Sequence, residues 1–186
     1  MAIKVGDKLP NIEVSTMTPD GPKSMPIEQL FMNKKVAFFG VPGAFTPTCS
    51  ARHLPGFVKH AQEIKSKGVD LIACISVNDV FVMGAWGVDQ KVGDDVMLLA
   101  DGSAFFAKAV GLSIDSSERG MGIRCKRFLM IVENLIVTHL KTDLPGQFDN
   151  TSAEMLASRL NKKQLTGKLK RWQKKHNFSG SIFNRK

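Results

Sequence analysis

The residues with the most chemical leverage lie in GVPGAFTPTCS, residues 40–50, a loop that follows the apolar run VAFFGV at 36–41. Thr46 suits a helix N-cap, and Pro47 suits the first helical position, where its missing N–H would have had no partner anyway. Cys49 then falls in the first turn. There the unpaired backbone N–H groups and the positive end of the helix dipole favour a thiolate over a thiol. A thiolate is a nucleophile, and displacing an anionic leaving group needs donors where the negative charge develops. The candidate donors are the N–H groups of Thr48 and Cys49, the hydroxyl of Thr46 and a guanidinium. Pro42 would hold the loop in place and shield the thiolate from water. A lone cysteine at a helix start also serves as a small packing residue, so position alone leaves both readings open.

The chain has three cysteines, Cys49, Cys74 and Cys125, at wide spacings with no C-x-x-C. That fits neither a disulfide scaffold nor a zinc site, and it points to a reducing compartment with at least one functional thiol. The position three after Cys49 is Arg52, which argues against a thioredoxin-type disulfide reductase. Cys74, inside IACIS, reads first as a core thiol. Cys125 is two residues from Arg127, and residues two apart in a strand share a face, so Cys125 is expected to point the same way as Arg127. His53 and His60 lie on the helix that carries Cys49, His139 lies in a strand pair and His176 near the C-terminus. No pair of them has metal-ligand spacing with acidic or cysteine neighbours, so no metal or other cofactor is expected. The methionines and tryptophans read as packing residues.

The elements that must position Cys49 follow from the apolar pattern of the 186 residues, a length suited to one domain. An extended segment near 12–16 and a Pro- and Gly-rich loop at 18–26 lead to VAFFGV, a run suited to a strand buried on both faces. A helix over 46–67, bent at Pro55, connects it to a second buried strand, VDLIACISV at 69–77, giving a βαβ crossover. A helix over 79–90, a strand at VMLLAD, a helix over 103–110 and a loop over 111–122 come next. KRFLMIV and LIVTHLK, separated by Glu133 and Asn134, form an antiparallel hairpin, and 152–160 is the last helix of the domain. This order describes an α/β chain of thioredoxin-like fold, a central mixed sheet flanked by helices. No stretch approaches the roughly 20 apolar residues of a membrane-spanning helix, and the N-terminal segment resembles neither a signal nor a transit peptide. The cytoplasm is the expected location, with a mitochondrion or plastid the alternative if a leader precedes this sequence.

The formal charge is +9, yet residues 161–186 hold nine Lys and Arg and no Asp or Glu, leaving 17 basic against 17 acidic residues elsewhere. The domain over 1–160 is therefore neutral, and 161–186 is a basic extension. Leu165, Leu169 and Trp172 stand at helical spacing in it, so part of it is expected to be helical and to pack its apolar edge on the domain. An anionic surface or a partner is the alternative contact. No recognition motif supports a specific nucleic-acid role.

Pro42-x-x-x-Thr46-x-x-Cys49 resembles the active-site pattern of the peroxiredoxins, and GVPGAFTPTCS with HLPGF at 53–57 resembles the type II branch that includes peroxiredoxin-five. The resemblance continues through ACISVNDVFVMGAW at 73–86, LLADGS at 98–103 and GIRCKRF at 122–128, and so covers roughly residues 3–160. It implies that Cys49 is the peroxidatic nucleophile, that Thr46 hydrogen-bonds the peroxide, that Pro42 shields the site and that the family's catalytic arginine is Arg127. It also implies homodimers and reduction of hydrogen peroxide or organic hydroperoxides through a sulfenic acid. Many peroxiredoxin-five proteins carry a resolving cysteine near the last helix, but here the region reads QFDNTSAEML. Cys74 and Cys125 are the remaining internal candidates, and an external thiol, from glutaredoxin with glutathione or a thioredoxin-like protein, is the expected reductant. A redox sensor or relay using the same Cys49 is the competing function.

Overall fold

The computed structural model describes residues 2–161. Its strands are β1 (Glu13–Thr18), β2 (Gly21–Pro26), β3 (Lys35–Val41), β4 (Leu71–Ser76), β5 (Met97–Ala100), β6 (Ser113–Asp115), β7 (Ile123–Cys125), β8 (Phe128–Glu133) and β9 (Ile136–Thr142). Seven of them form one mixed sheet in the order β2-β1-β5-β4-β3-β8-β9, and β6 with β7 makes a separate two-stranded ribbon. β3, β4 and β5 run parallel, while β8 pairs antiparallel with both β3 and β9. The helices are α1 (Ile27–Phe31), α2 (Leu54–Lys59), α3 (Ala61–Ser66), α4 (Val80–Asp89) and α5 (Phe105–Ala109), with a further helix over 153–161.

β3 shows why a continuous apolar run is needed at the centre. Side chains alternate across a strand, and here Ala37, Phe39 and Val41 enter one core while Val36 and Phe38 enter the other. The first core lies under α2, α3, α4 and the last helix, with Leu54, Phe57, Ile64, Trp86 and Leu156 fully buried. Phe39 and Phe57 stack there with centroids 3.9 Å apart. The second core gathers Phe31, Phe106 and Phe128 edge-on around Phe38. Burying each such ring contributes on the order of 2–3 kcal/mol before entropy is counted.

At Gly40, where β3 turns toward the loop carrying Cys49, a Cβ would collide with Phe128 Cε1 and stand 2.9 Å from Cys125 Sγ. Only glycine fits between the second core and the start of that loop.

Three expectations change. The Pro- and Gly-rich segment at 18–26 is not wholly a loop: β2 pairs with β1 along its whole length at the sheet edge, where proline costs no ladder bond on the open side. The helix expected over 46–67 is not continuous. Pro47 and Thr48 begin it, Cys49–His53 form a π-helical turn, and the chain breaks again at His60. Pro55 has no N–H and its ring crowds the carbonyl four residues back, and the wider turn ahead of it accommodates both. The loop expected over 111–122 contains β6 and a 3-10 turn at Ser117–Arg119. Residues 162–186 lie outside the described residues, and with them all but the first residue of the basic, partly helical extension expected over 161–186.

Candidate active site

Cys49 is fully buried at the start of the helix that follows β3. The first i to i+4 bond of that helix runs from Ser50 N–H to Thr46 O at 3.0 Å, so the N–H groups of Thr48 and Cys49 precede it and have no partner further back in the helix. The loop is fixed from two sides. Asn78 Oδ1, just past β4, accepts from Ala44 N–H at 3.0 Å, and Trp86 Nε1 of α4 donates to Ser50 Oγ at 3.0 Å. Pro42 lies at the bend where β3 leaves the sheet, half-buried beside the buried Gly43.

Thr46 precedes the helix, as expected, but its hydroxyl does not cap it. Oγ1 donates to Gly43 O at 2.8 Å and closes the turn over residues 43–46. Its single proton is therefore spent on the loop, and its lone pairs remain to accept.

Arg127 is buried and comes from the two-residue link between β7 and β8. Nη1 approaches Cys49 Sγ at 3.6 Å and His53 Nδ1 at 2.9 Å. His53 Nε2 lies 3.0 Å from Thr151 O. A carbonyl only accepts and a guanidinium only donates, so Nε2 carries the proton and Nδ1 is the acceptor. His53 is therefore a neutral imidazole. Burial, reinforced by the Arg127 charge, pushes its pKa down to about 3.

Arg127 and Cys49 are thus together as expected, whereas His53 was missed. The signal was present, because His53 is four residues after Cys49 and so shares its side of the helix. Without metal-ligand spacing, however, nothing in the sequence told a buried hydrogen-bonding histidine from an exposed one.

The expectation that Cys125 shares the face of Arg127 fails. β7 ends at Cys125 and β8 begins at Phe128, so the strand alternation is broken between them. Cys125 packs in the second core beside Phe128, across the sheet from Cys49. Cys74 packs in the same core as Cys49. Both thiols are fully buried, and burial, above all, pushes each well above the usual cysteine range. All three cysteines are free. Among the described residues, no group of His, Cys, Asp or Glu could hold a metal ion, and no helix is long and apolar enough to cross a membrane.

A buried thiol at a helix start, facing a guanidinium at the carboxyl end of a thioredoxin-like sheet, brings together the nucleophile and the cationic donor that a thiol-dependent peroxidase requires. The Redoxin family profile matches residues 4–155. The chain is 45% identical over 157 residues to "Peroxiredoxin-2E, chloroplastic" of Arabidopsis thaliana, covering 82% of this chain and 67% of that protein. It is 44% identical to Peroxiredoxin-2D of the same plant, covering 82% and 94%. Among solved structures, reduced Prx3 of Vibrio vulnificus in complex with H2O2 superposes with a TM-score of 0.82 at 47% identity, covering 85% of this chain and 99% of that one. The chain belongs to the type II peroxiredoxins and is a thiol-dependent peroxidase.

Proposed function

We propose that Cys49 is the peroxidatic cysteine and that the enzyme reduces hydrogen peroxide and organic hydroperoxides with electrons from an external thiol. The observation that carries this reading is the guanidinium of Arg127, buried and 3.6 Å from Cys49 Sγ. The thiolate attacks one peroxide oxygen and the O–O bond breaks. Sulfur is oxidised by two electrons to the sulfenic acid, and the other oxygen leaves as hydroxide or alkoxide, which takes up a proton to give water or an alcohol. Arg127 and the N–H groups of Thr48 and Cys49 stabilise the charge that develops on the leaving oxygen. Thr46, its own proton held by Gly43 O, accepts from the peroxide O–H. Pro42 shields the thiolate. The Vibrio vulnificus relative was solved in complex with H2O2, which supports hydrogen peroxide as one substrate here.

The sulfenic acid condenses with a thiol, releasing water and forming a mixed disulfide, which a second thiol reduces. Cys74 and Cys125 are poor donors for the first of these steps, because burial keeps both thiols protonated. This supports glutathione with glutaredoxin, or a thioredoxin-like protein, as the reductant. Free cysteines support a reducing compartment, the cytoplasm or an organelle such as the plastid of the chloroplastic relatives. Exposed Phe45, Phe81 and Phe105 follow the carboxyl ends of the parallel strands β3, β4 and β5. An apolar rim at that end supports pairing of two copies there.

The test is steady-state peroxide consumption by the wild type and Cys49→Ser, with glutathione plus glutaredoxin and separately with a thioredoxin system. Turnover by the wild type with one system, and none by the variant, is expected. A single oxidation of Cys49 that neither system reverses would instead favour a redox sensor or relay.

A further inference from the structure

Arg127 is held by more than its two acceptors. The segment 143–151, between β9 and the last helix, has no regular secondary structure, yet it is tied at both ends to the Arg127 site. At its start, Asp143 N–H donates to Arg127 O at 3.1 Å. Asp143 Oδ1 accepts from Asn150 N–H at 2.8 Å and from Asn150 Nδ2 at 3.1 Å, and Oδ2 accepts from Thr151 Oγ1 at 2.6 Å. Thr151 O then accepts from His53 Nε2, and His53 Nδ1 accepts from Arg127 Nη1. The result is a closed circuit running from the Arg127 backbone through Asp143, Thr151 and His53 back to the Arg127 side chain. Each of these four residues is buried.

The segment between the two ties carries Phe148 over the site. Its ring centroid lies 4.9 Å from the His53 ring, 4.9 Å from Arg52 Cζ and 5.6 Å from Arg127 Cζ. An aromatic ring within about 6 Å of a desolvated guanidinium attracts it. Phe148 thus meets the His53 imidazole and the Arg127 guanidinium, the second of which faces Cys49, while the circuit fixes where the segment begins and ends.

We propose that Asp143 and Phe148 are positioning residues for the peroxide step: the 143–151 segment holds the Arg127 guanidinium, through His53 and the Phe148 ring, in the orientation that faces Cys49. The proposal rests on Cys49 being the nucleophile. Neither residue touches the sulfur. Each acts through Arg127, whose contribution depends on being aimed before charge develops.

The experiment is rapid-mixing measurement of Cys49 oxidation by hydrogen peroxide across pH, with thermal unfolding of each variant recorded alongside. Phe148→Leu, which fills the space without a π face, and Asp143→Asn, which keeps the shape but loses the charge that three donors address, are each expected to slow oxidation about tenfold and to move the pH–rate profile to higher pH. Phe148→Tyr is expected to retain the wild-type rate. Leu144→Ala, at an exposed position of the same segment, is expected to change nothing. Wild-type rates and an unmoved profile in folded Phe148→Leu and Asp143→Asn would overturn the proposal, as would a Phe148→Tyr variant as slow as Phe148→Leu. If Cys49→Ser were oxidised like the wild type, the underlying assignment of Cys49 would fail instead, which separates the two outcomes.

Discussion

His53 ties the titration of the active site to the stability of the fold. Its ring is neutral, fully buried and hydrogen-bonded at both nitrogens, with a pKa of about 3 against an ordinary value of 6.5. The folded state resists protonating it, whereas the unfolded chain takes the proton readily. Its contribution to stability is therefore complete above pH 6.5 and is lost progressively as the pH falls toward 3. Asp143 acts in the same direction lower down. Burial works against its charge, but hydrogen bonds from Thr151 and Asn150 hold its carboxyl below the usual range, so its contribution is lost on acidification through that range. We expect His53→Gln, whose amide can donate to Thr151 O and accept from Arg127 without titrating, to flatten the fall in urea midpoint between pH 7 and pH 4.5. An unchanged fall would show that the acid sensitivity arises elsewhere. The sequence made Cys49, Thr46 and Pro42 legible because loop chemistry and a helix start are local. Arg127 was legible only through family resemblance, and His53 not as a site residue, since each depends on a partner 74 positions away in the chain.

Gly40 and the π turn set the approach of the chain to the site. Because a β-carbon at Gly40 would collide with Phe128 Cε1, Gly40→Ala must displace the ring or the strand. We expect a loss of about 1–3 kcal/mol in stability and slower Cys49 oxidation, because the displaced strand carries the loop. Oxidation at the wild-type rate with only a lowered Tm would confine the effect to the core. The central strands β3, β4 and β8 were readable because their apolar runs match strands buried on both faces. The break at His60 and the pairing of β2 were not. A helical apolar period persists across a break, and Pro and Gly mark an edge strand as readily as a loop. The false placement of Cys125 has the same origin: alternation holds within a strand, and the Lys126–Arg127 link separates two.

At the scale of the molecule, residues 161–186 carry nine Lys and Arg and no Asp or Glu, while the residues before them balance 17 basic against 17 acidic. The site draws on the loop after β3, the π turn, the link between β7 and β8 and the 143–151 segment, all of which precede residue 162. Deleting residues 163–186 is therefore expected to leave peroxide consumption within about twofold of the full chain, and a loss beyond about tenfold would make the extension part of the catalytic body. The central mixed sheet flanked by helices was legible as a class from the alternation of strands and helices, but the strand order and the division of the core between the two faces of the sheet were not. Which face holds each cysteine was not, because that is decided by register across the sheet.

The bond from Trp86 to Ser50 ties an indole to the turn that carries Cys49. The indole is fully buried, and its only polar group is engaged by a hydroxyl adjacent in sequence to Cys49. Any rearrangement of the turn that withdraws Ser50 leaves the indole N–H without that acceptor and alters its surroundings. If oxidation of Cys49 moves the turn, the emission of Trp86 is expected to change with it, which fluorescence of a Trp172→Phe variant, mixed with peroxide, would read without a label.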